Sequence, residues 1–303
     1  MHKPSDKNAI LILVMVSSFM TPFIGSAVNL ALPIISNDFN LDAIQMSWVS
    51  MSFLLSSAVF LVPVGKLADI LGRKRVFFWG NVILSVSSLF CALSATGNML
   101  IIVRVLQGVG SSMIFATGIA LVTSVFPPSE RGKAIGYNVT AVYVGLSAAP
   151  LLGGFLITYF GWQSLFYVPV IIGIPSAIFI MMVIKSEWAE AKNEKFDYIG
   201  TAIYLPAMTL FMYGFSKIPD PVAIALTFAG LLGLSLFVAI EIKSKFPVFD
   251  IQLFLDNKLF AFSNAAALIN YATTFAITFI LSLYLQYIKG LSPRETGIIL
   301  VIQ

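Results

Sequence analysis

The chain has 303 residues, of which 58% are hydrophobic and 11% charged, and it carries a formal net charge of +4. A soluble domain needs about a quarter of its residues charged to solvate its surface, so this composition excludes a water-soluble enzyme. The apolar runs are about 20 residues long, which crosses a bilayer core of about 30 Å as a helix, whereas barrel strands are shorter and alternate.

The expected class is therefore an all-α polytopic membrane protein. Nine full runs are predicted, over 10–35, 45–64, 77–96, 99–126, 138–159, 165–184, 198–215, 221–240 and 259–288, and a tenth opens near Arg294. The first follows a short polar tail (1–9, with His2, Lys3 and Lys7) and is too long for a signal-peptide core, so it reads as a retained helix. Six runs follow one another through short loops, forming a six-helix bundle over 10–184. The stretch "KSEWAEAKNEKFDYIG" (185–200) then gathers seven charged residues, and its first part, 185–197, reads as a cytoplasmic linker. Two linker helices (198–240) turn around "SKIPDP", an interfacial segment spans 241–258, and 259–303 begins a second bundle.

Basic loops stay in the cytosol. Placing the N-terminus there puts fourteen of the eighteen Lys and Arg on the cytoplasmic side, with Lys217, Lys289 and Arg294 outside and Arg104 near the start of the fourth run. This distribution accounts for the net charge without nucleic acid. Cys91, inside the third run, reads as a small apolar filler. There is no His/Cys/carboxylate grouping with metal spacing, and the reading calls for no metal or cofactor.

Between the second and third runs lies "GKLADILGRKR" (65–75), where five charges interrupt an apolar chain. Arg73, Lys74 and Arg75 would anchor the loop on its side of the membrane. The cations alone do not explain Gly65, Asp69 and Gly72. Gly65 would allow a close helix contact, Asp69 could pair with Arg73, and Gly72 suits a tight reversal. This spelling resembles the signature loop of the major facilitator superfamily.

Other stretches resemble that superfamily's fourteen-helix drug:proton antiporter branch: "GSAVNLALP" (25–33), "WVSMSFLLSSA" (48–58), "RVLQGVGSS" (104–112), "GLSAAPLLGG" (145–154) and "LYLQYIKGLSP" (283–293). The resemblance makes the seventh and eighth runs the branch's two extra linker helices, and the ninth the start of the C-terminal half. It implies multidrug efflux by alternating access, and a latch formed by Gly65, Asp69, Gly72, Arg73 and Lys74. It gives Arg104 and Gln107 a coupling or switching role beside the alternative that Arg104 bonds carbonyls of a neighbouring helix. Gly145, Pro150, Gly153 and Gly154 form its antiporter-type helix motif.

Candidates for lining a substrate cavity are Asn29, Ser111, Phe115, Asn264, Asn270, Tyr271 and Thr278. Polar residues at helical spacing on apolar runs face either a cavity or another helix. All fourteen carboxylates lie in loops or at helix ends, and Ile24 stands where the branch usually has an aspartate. A proton-driven carrier needs a titrating group in its path.

The expectation is a secondary transporter in the cell membrane moving a small amphipathic organic compound, with protons as the candidate coupling ion. Two alternatives remain: uptake or facilitated passage of a neutral metabolite, and a half-carrier serving as scaffold or partner subunit. Because "GIILVIQ" stops inside an apolar helix with no cap, the chain reads as the N-terminal portion of a carrier whose C-terminal half is incomplete.

Overall fold

A computed structural model describes residues 4–300; His2, Lys3 and Gln303, named above, lie outside the described residues. Hydrocarbon offers no hydrogen-bond partner for a bare backbone, so the chain satisfies its amides within helices. Nine helices among the described residues are long and apolar enough to span a membrane. Six come first: α1 (Pro4–Phe39), α2 (Ala43–Leu71), α3 (Arg73–Ala92), α4 (Gly97–Val125), α5 (Pro128–Phe160) and α6 (Ser164–Val183). An α7–α8 hairpin (Tyr198–Phe215, Pro221–Glu241) follows, then the one-turn α9 (Gln252–Asp256) and the long α10 (Lys258–Leu283). A π-helical turn, Tyr284–Ile288, extends α10, and α11 (Pro293–Leu300) is the last element.

Several helices exceed the apolar runs that announce them. α1 begins at Pro4 and α5 at Pro128, where Pro127 and Pro128 set the first turn and Glu130 lies at its start. α2 continues to Leu71, so Gly65 and Asp69 are helical, and the signature loop shrinks to a single linking residue. That residue is Gly72, at φ +116°, a conformation closed to most L side chains. Polar side chains set the other starts. Asp42 and Gln45 form a capping box on α2, Thr96 caps α4, Asp197 caps α7 and Asn257 caps α10.

Within the six-helix bundle α4 packs on α2 and α3, while α1 packs on α5 and α6. Because lipid is as apolar as leucine, helix association there depends on close van der Waals packing, which small residues permit. A Cβ on Gly108 would lie 2.5 Å from the Phe53 carbonyl oxygen of α2, and one on Gly110 would lie 2.5 Å from the Leu84 amide of α3. The α7–α8 pair leans on the bundle through α2, with the Trp48 and Tyr213 rings 5.2 Å apart. α10 touches α1, and α11 lies against α5. Cys91 is buried and free, as apolar filler would be.

The glycine contacts generate a stability prediction. Gly110→Ala forces α3 and α4 apart and costs about 1–3 kcal/mol, whereas Gly132→Ala, with nothing within 4 Å of its added methyl, does not. Melting temperatures of the two variants in one detergent check this.

Candidate functional site

Two adjoining cavities lie where α10 faces the six-helix bundle, and Leu146 and Phe275 line both. The first, about 360 Å³, is walled by Pro22 and Gly25 of α1, Phe53 of α2, Ser111 and Phe115 of α4, and Tyr271 of α10. The second, about 320 Å³, is more polar: Ser26, Tyr143, Ser147, Asn270, Thr274 and Thr278 contribute to it, with Pro150 and Leu300. Tyr143 and Tyr271 stack at 6.4 Å where α5 faces α10. Among the described residues no Asp, Glu, Lys or Arg lines either space. The Thr21 hydroxyl, in the wall of the first, is buried without a partner.

Of the residues expected to line a cavity, Ser111, Phe115, Asn270, Tyr271 and Thr278 do so. Asn29 and Asn264 do not. Asn29 accepts a hydrogen bond from Ser50 at 2.8 Å, joining α1 to α2, and Asn264 donates to the Phe260 carbonyl of its own helix. The α5 contribution escaped sequence reasoning. Tyr143, Leu146, Ser147 and Pro150 stand at positions i, i+3, i+4 and i+7 of one helix face, and that stripe was the available signal.

The antiporter-type motif holds α5 between two neighbours. A Cβ on Gly145 would come within 2.6 Å of the Phe19 carbonyl oxygen, and one on Gly153 within 3.1 Å of Ala27, both on α1. On its other side, a Cβ on Gly154 would lie 2.5 Å from the Pro293 carbonyl oxygen, and Gly297 of α11 offers no room for one against the Pro150 carbonyl. Arg294 donates to the Tyr159 hydroxyl at 3.2 Å beside this contact. The start of α11 is fixed by Glu295, whose carboxylate accepts from the amide and hydroxyl of Ser292; these bonds hold its pKa below the usual carboxylate range. The α5–α11 contact borders the second cavity, which Pro150 and Leu300 both line.

Arg104 lines neither cavity. It is fully buried, donating from Nε to the Val49 carbonyl at 2.9 Å and from Nη1 to Gln107 at 2.5 Å, with its guanidinium 4.3 Å from the Phe53 ring centre. Gln107 in turn donates to Ser88 of α3 at 2.6 Å. This chain joins α2, α3 and α4, and the Phe53 ring that Arg104 packs against also lines the first cavity. Its Nη2 has no partner, and Ile24 is packed in the apolar core.

The signature residues gather around Arg73, which is 7% exposed. Its guanidinium meets Asp69 of α2 at 2.9 Å, Ser124 of α4 at 2.7 Å and Glu190 of the linker at 2.7 Å. The linker is laid along this end of the bundle. Trp188 accepts from the Arg73 amide at 2.8 Å, Ala191 donates to the Asp69 carbonyl at 2.9 Å, and Glu194 pairs with Lys66 at 2.5 Å. Glu187 takes the Lys74 amide at 2.8 Å, serving as the cap that Gly72 lacks a side chain to provide. Gly65 has a different standing from the one expected. A Cβ there would meet only Ala116, at 4.0 Å, so no backbone crowds it.

A six-helix bundle, a charged strap, a two-helix insertion and a further long helix enclosing an uncharged cavity define a multi-pass integral membrane protein. Its sequence matches the family model described as Major Facilitator Superfamily over residues 14–303, and the chain belongs to that family. Among curated relatives it is 29% identical over 300 residues to "Riboflavin transporter RibZ" of Clostridioides difficile, covering 98% of this chain and 65% of that protein. It is 29% identical to "Multidrug resistance protein Stp" of Mycobacterium tuberculosis (90% and 52% covered). It is 27% identical to "Tetracenomycin C resistance and export protein" of Streptomyces glaucescens (95% and 54% covered). The chain thus spans between about half and two thirds of the length of these relatives. Among solved structures, an inward-facing, unoccupied bacterial homolog of the human lysosomal transporter Spinster has the same fold, with a TM-score of 0.64 at 19% identity, covering 98% of this chain and 59% of that one.

The geometry of the strap separates two adjacent cations. Arg73→Ala leaves the Asp69 and Glu190 carboxylates without their cation and releases the linker, whereas Lys74 engages the strap through its backbone amide. Protease cleavage within 185–197 rises for Arg73→Ala and stays at the wild-type rate for Lys74→Ala.

Proposed function

We propose that the protein moves a small amphipathic, aromatic-bearing organic compound across the membrane by alternating access, in the direction of efflux. The observation that carries this reading is the uncharged, aromatic and amide-lined pair of cavities between the six-helix bundle and α10. A site for a charged metabolite would present a compensating charge. Phe53, Phe115 and Tyr271 instead offer ring faces for stacking or for a lipophilic cation, and Asn270, Thr274 and Thr278 offer scattered hydrogen bonds. Relatives named for multidrug resistance and for tetracenomycin C resistance and export support the same direction. The basic end lies in the cytosol on this reading, with the N-terminus, and the Arg73 strap belongs to the latch. Closure on the far side is by α5 against α11.

The uncharged lining also favours a second reading, facilitated passage of a neutral aromatic metabolite, in keeping with the relative named as a riboflavin transporter. Coupling distinguishes the two. Among the described residues no carboxylate lines the cavities, and Asp69, the acid nearest the end of α2, is engaged by Arg73. Protein reconstituted in liposomes is tested with ethidium, riboflavin and a neutral sugar, with and without an imposed pH gradient. Ethidium accumulation that follows the gradient supports proton-driven efflux. Riboflavin counterflow without ion dependence supports the second reading. Saturable transport of the sugar alone overturns both.

Two substitutions follow. Tyr271→Ala raises the KM for an aromatic substrate about 3- to 10-fold, the size of a lost ring contact, with expression unchanged. Gly297→Val keeps α11 off Pro150; net transport falls at least tenfold while ligand binding, measured by fluorescence quenching, persists.

A further inference from the structure

At the end of the molecule that carries Gly72, the α7–α8 hairpin opens into a cleft of about 620 Å³, separate from the two cavities above. One wall is apolar, made by Ile199 of α7 and by Leu236, Ala239 and Ile240 of α8. Around it stand Lys195, Lys243 and Lys245, with the Phe196 and Phe246 rings between them. Among the described residues no carboxylate lies within ion-pair distance of these three lysines, although Lys7, Lys66, Arg73 and Arg75 are all paired.

Two acids lie nearby, and among the described residues neither forms an ion pair with these lysines; one Glu241 oxygen is buried with no hydrogen-bond partner among those residues. Asp197 lines the cleft, but one of its oxygens caps α7 through the Gly200 amide at 2.8 Å and the other accepts from Ser244 at 3.3 Å. Glu241, 3% exposed beneath the cleft, accepts from the Phe249 amide at 3.2 Å. Three exposed ammonium groups gathered at the ends of two spanning helices repel one another unless an anion joins them. The adjoining apolar wall is continuous with the lipid-facing side of the hairpin, where Leu232 is 72% and Tyr198 77% exposed. A phosphate carried on acyl chains satisfies both walls at once; a soluble anion uses only the lysines.

We propose that this cleft binds the headgroup of an anionic glycerophospholipid, with Lys195, Lys243 and Lys245 on the phosphate and the acyl chains along α7 and α8. Basic clefts between membrane helices recognise such headgroups. The site holds the two-helix insertion to the membrane surface, and it does not depend on what the cavities carry.

The test is native mass spectrometry of the protein purified in a neutral detergent, with equimolar phosphatidylglycerol and phosphatidylcholine added. The wild type retains phosphatidylglycerol over phosphatidylcholine by about tenfold or more, given the pull of each lysine on anionic lipid. The triple variant K195Q/K243Q/K245Q brings that ratio to about one with an unchanged helical circular dichroism spectrum, and K195R/K243R/K245R preserves it. A charge-matched control outside the cleft, K133Q/K192Q/K258Q, also preserves it. Equal retention of the two lipids by the wild type overturns the proposal, as does loss of preference in the control. Displacement of the lipid by millimolar inorganic phosphate assigns the cleft to a soluble phosphate and overturns the lipid assignment.

Discussion

The guanidinium of Arg73 joins three segments that are far apart in sequence: Asp69 on α2, Ser124 on α4 and Glu190 in the linker. Its position follows from a backbone constraint. With α2 ending at Leu71 and α3 starting at Arg73, one residue must reverse the chain, and Gly72 does so at a positive φ. That reversal leaves the first amides of α3 uncapped, and the linker supplies the missing acceptors from Trp188 and Glu187. The strap is therefore a consequence of the tight turn. Without the strap the α3 start would face solvent uncapped, and Arg73 would keep only its contacts to α2 and α4.

A second economy governs the interior. Polar groups in the bundle are spent on holding helices together, each pair satisfying the other: Ser17 with Asn81, Ser50 with Asn29, and Arg104 through Gln107 to Ser88. An unpaired polar group in hydrocarbon would cost several kcal/mol, so these bonds fix helix register. One group left over lies in a cavity wall. Thr21 keeps a buried hydroxyl with no partner in the wall of the first space. Arg104 belongs to the same division: it is buried against the Phe53 ring and bonded to Val49 and Gln107, and it lines neither cavity.

The class of fold was legible because hydrophobic length alone separates membrane helices from everything else, and nine runs lead to nine spanning helices among the described residues. Helix ends were less so. The apolar stretch ends where lipid ends, but hydrogen bonding carries α2 on through Lys66 and Asp69 to Leu71 and begins α5 at Pro128. Polarity on an apolar helix selected Asn270, Tyr271 and Thr278, which line the cavities, and also Asn29 and Asn264, which bond within the helix packing. A lone amide does not tell which neighbour it meets; only the packing does. The linker's engagement with Arg73 was hidden for the related reason that a charged stretch reads as solvated until its partners are seen.

The placement of α5 connects these points. Pro150 has no amide proton, so the carbonyl four residues earlier, that of Leu146, lacks its helical donor. Leu146 lines both cavities, and Pro150 itself meets Gly297 of α11. The weakest point in the hydrogen bonding of α5 thus falls between its two contacts with α1, at Gly145 and Gly153, while Pro150 and Gly154 meet α11. A helix that must stay packed on one neighbour while parting from another bends most cheaply where its ladder is already open. Small residues on both sides make each contact close, and the proline lets one change without the other. The second cavity lies beside that proline, with Leu146 and Pro150 of α5 and Leu300 of α11 together in its wall, so it borders the place where α5 meets α11.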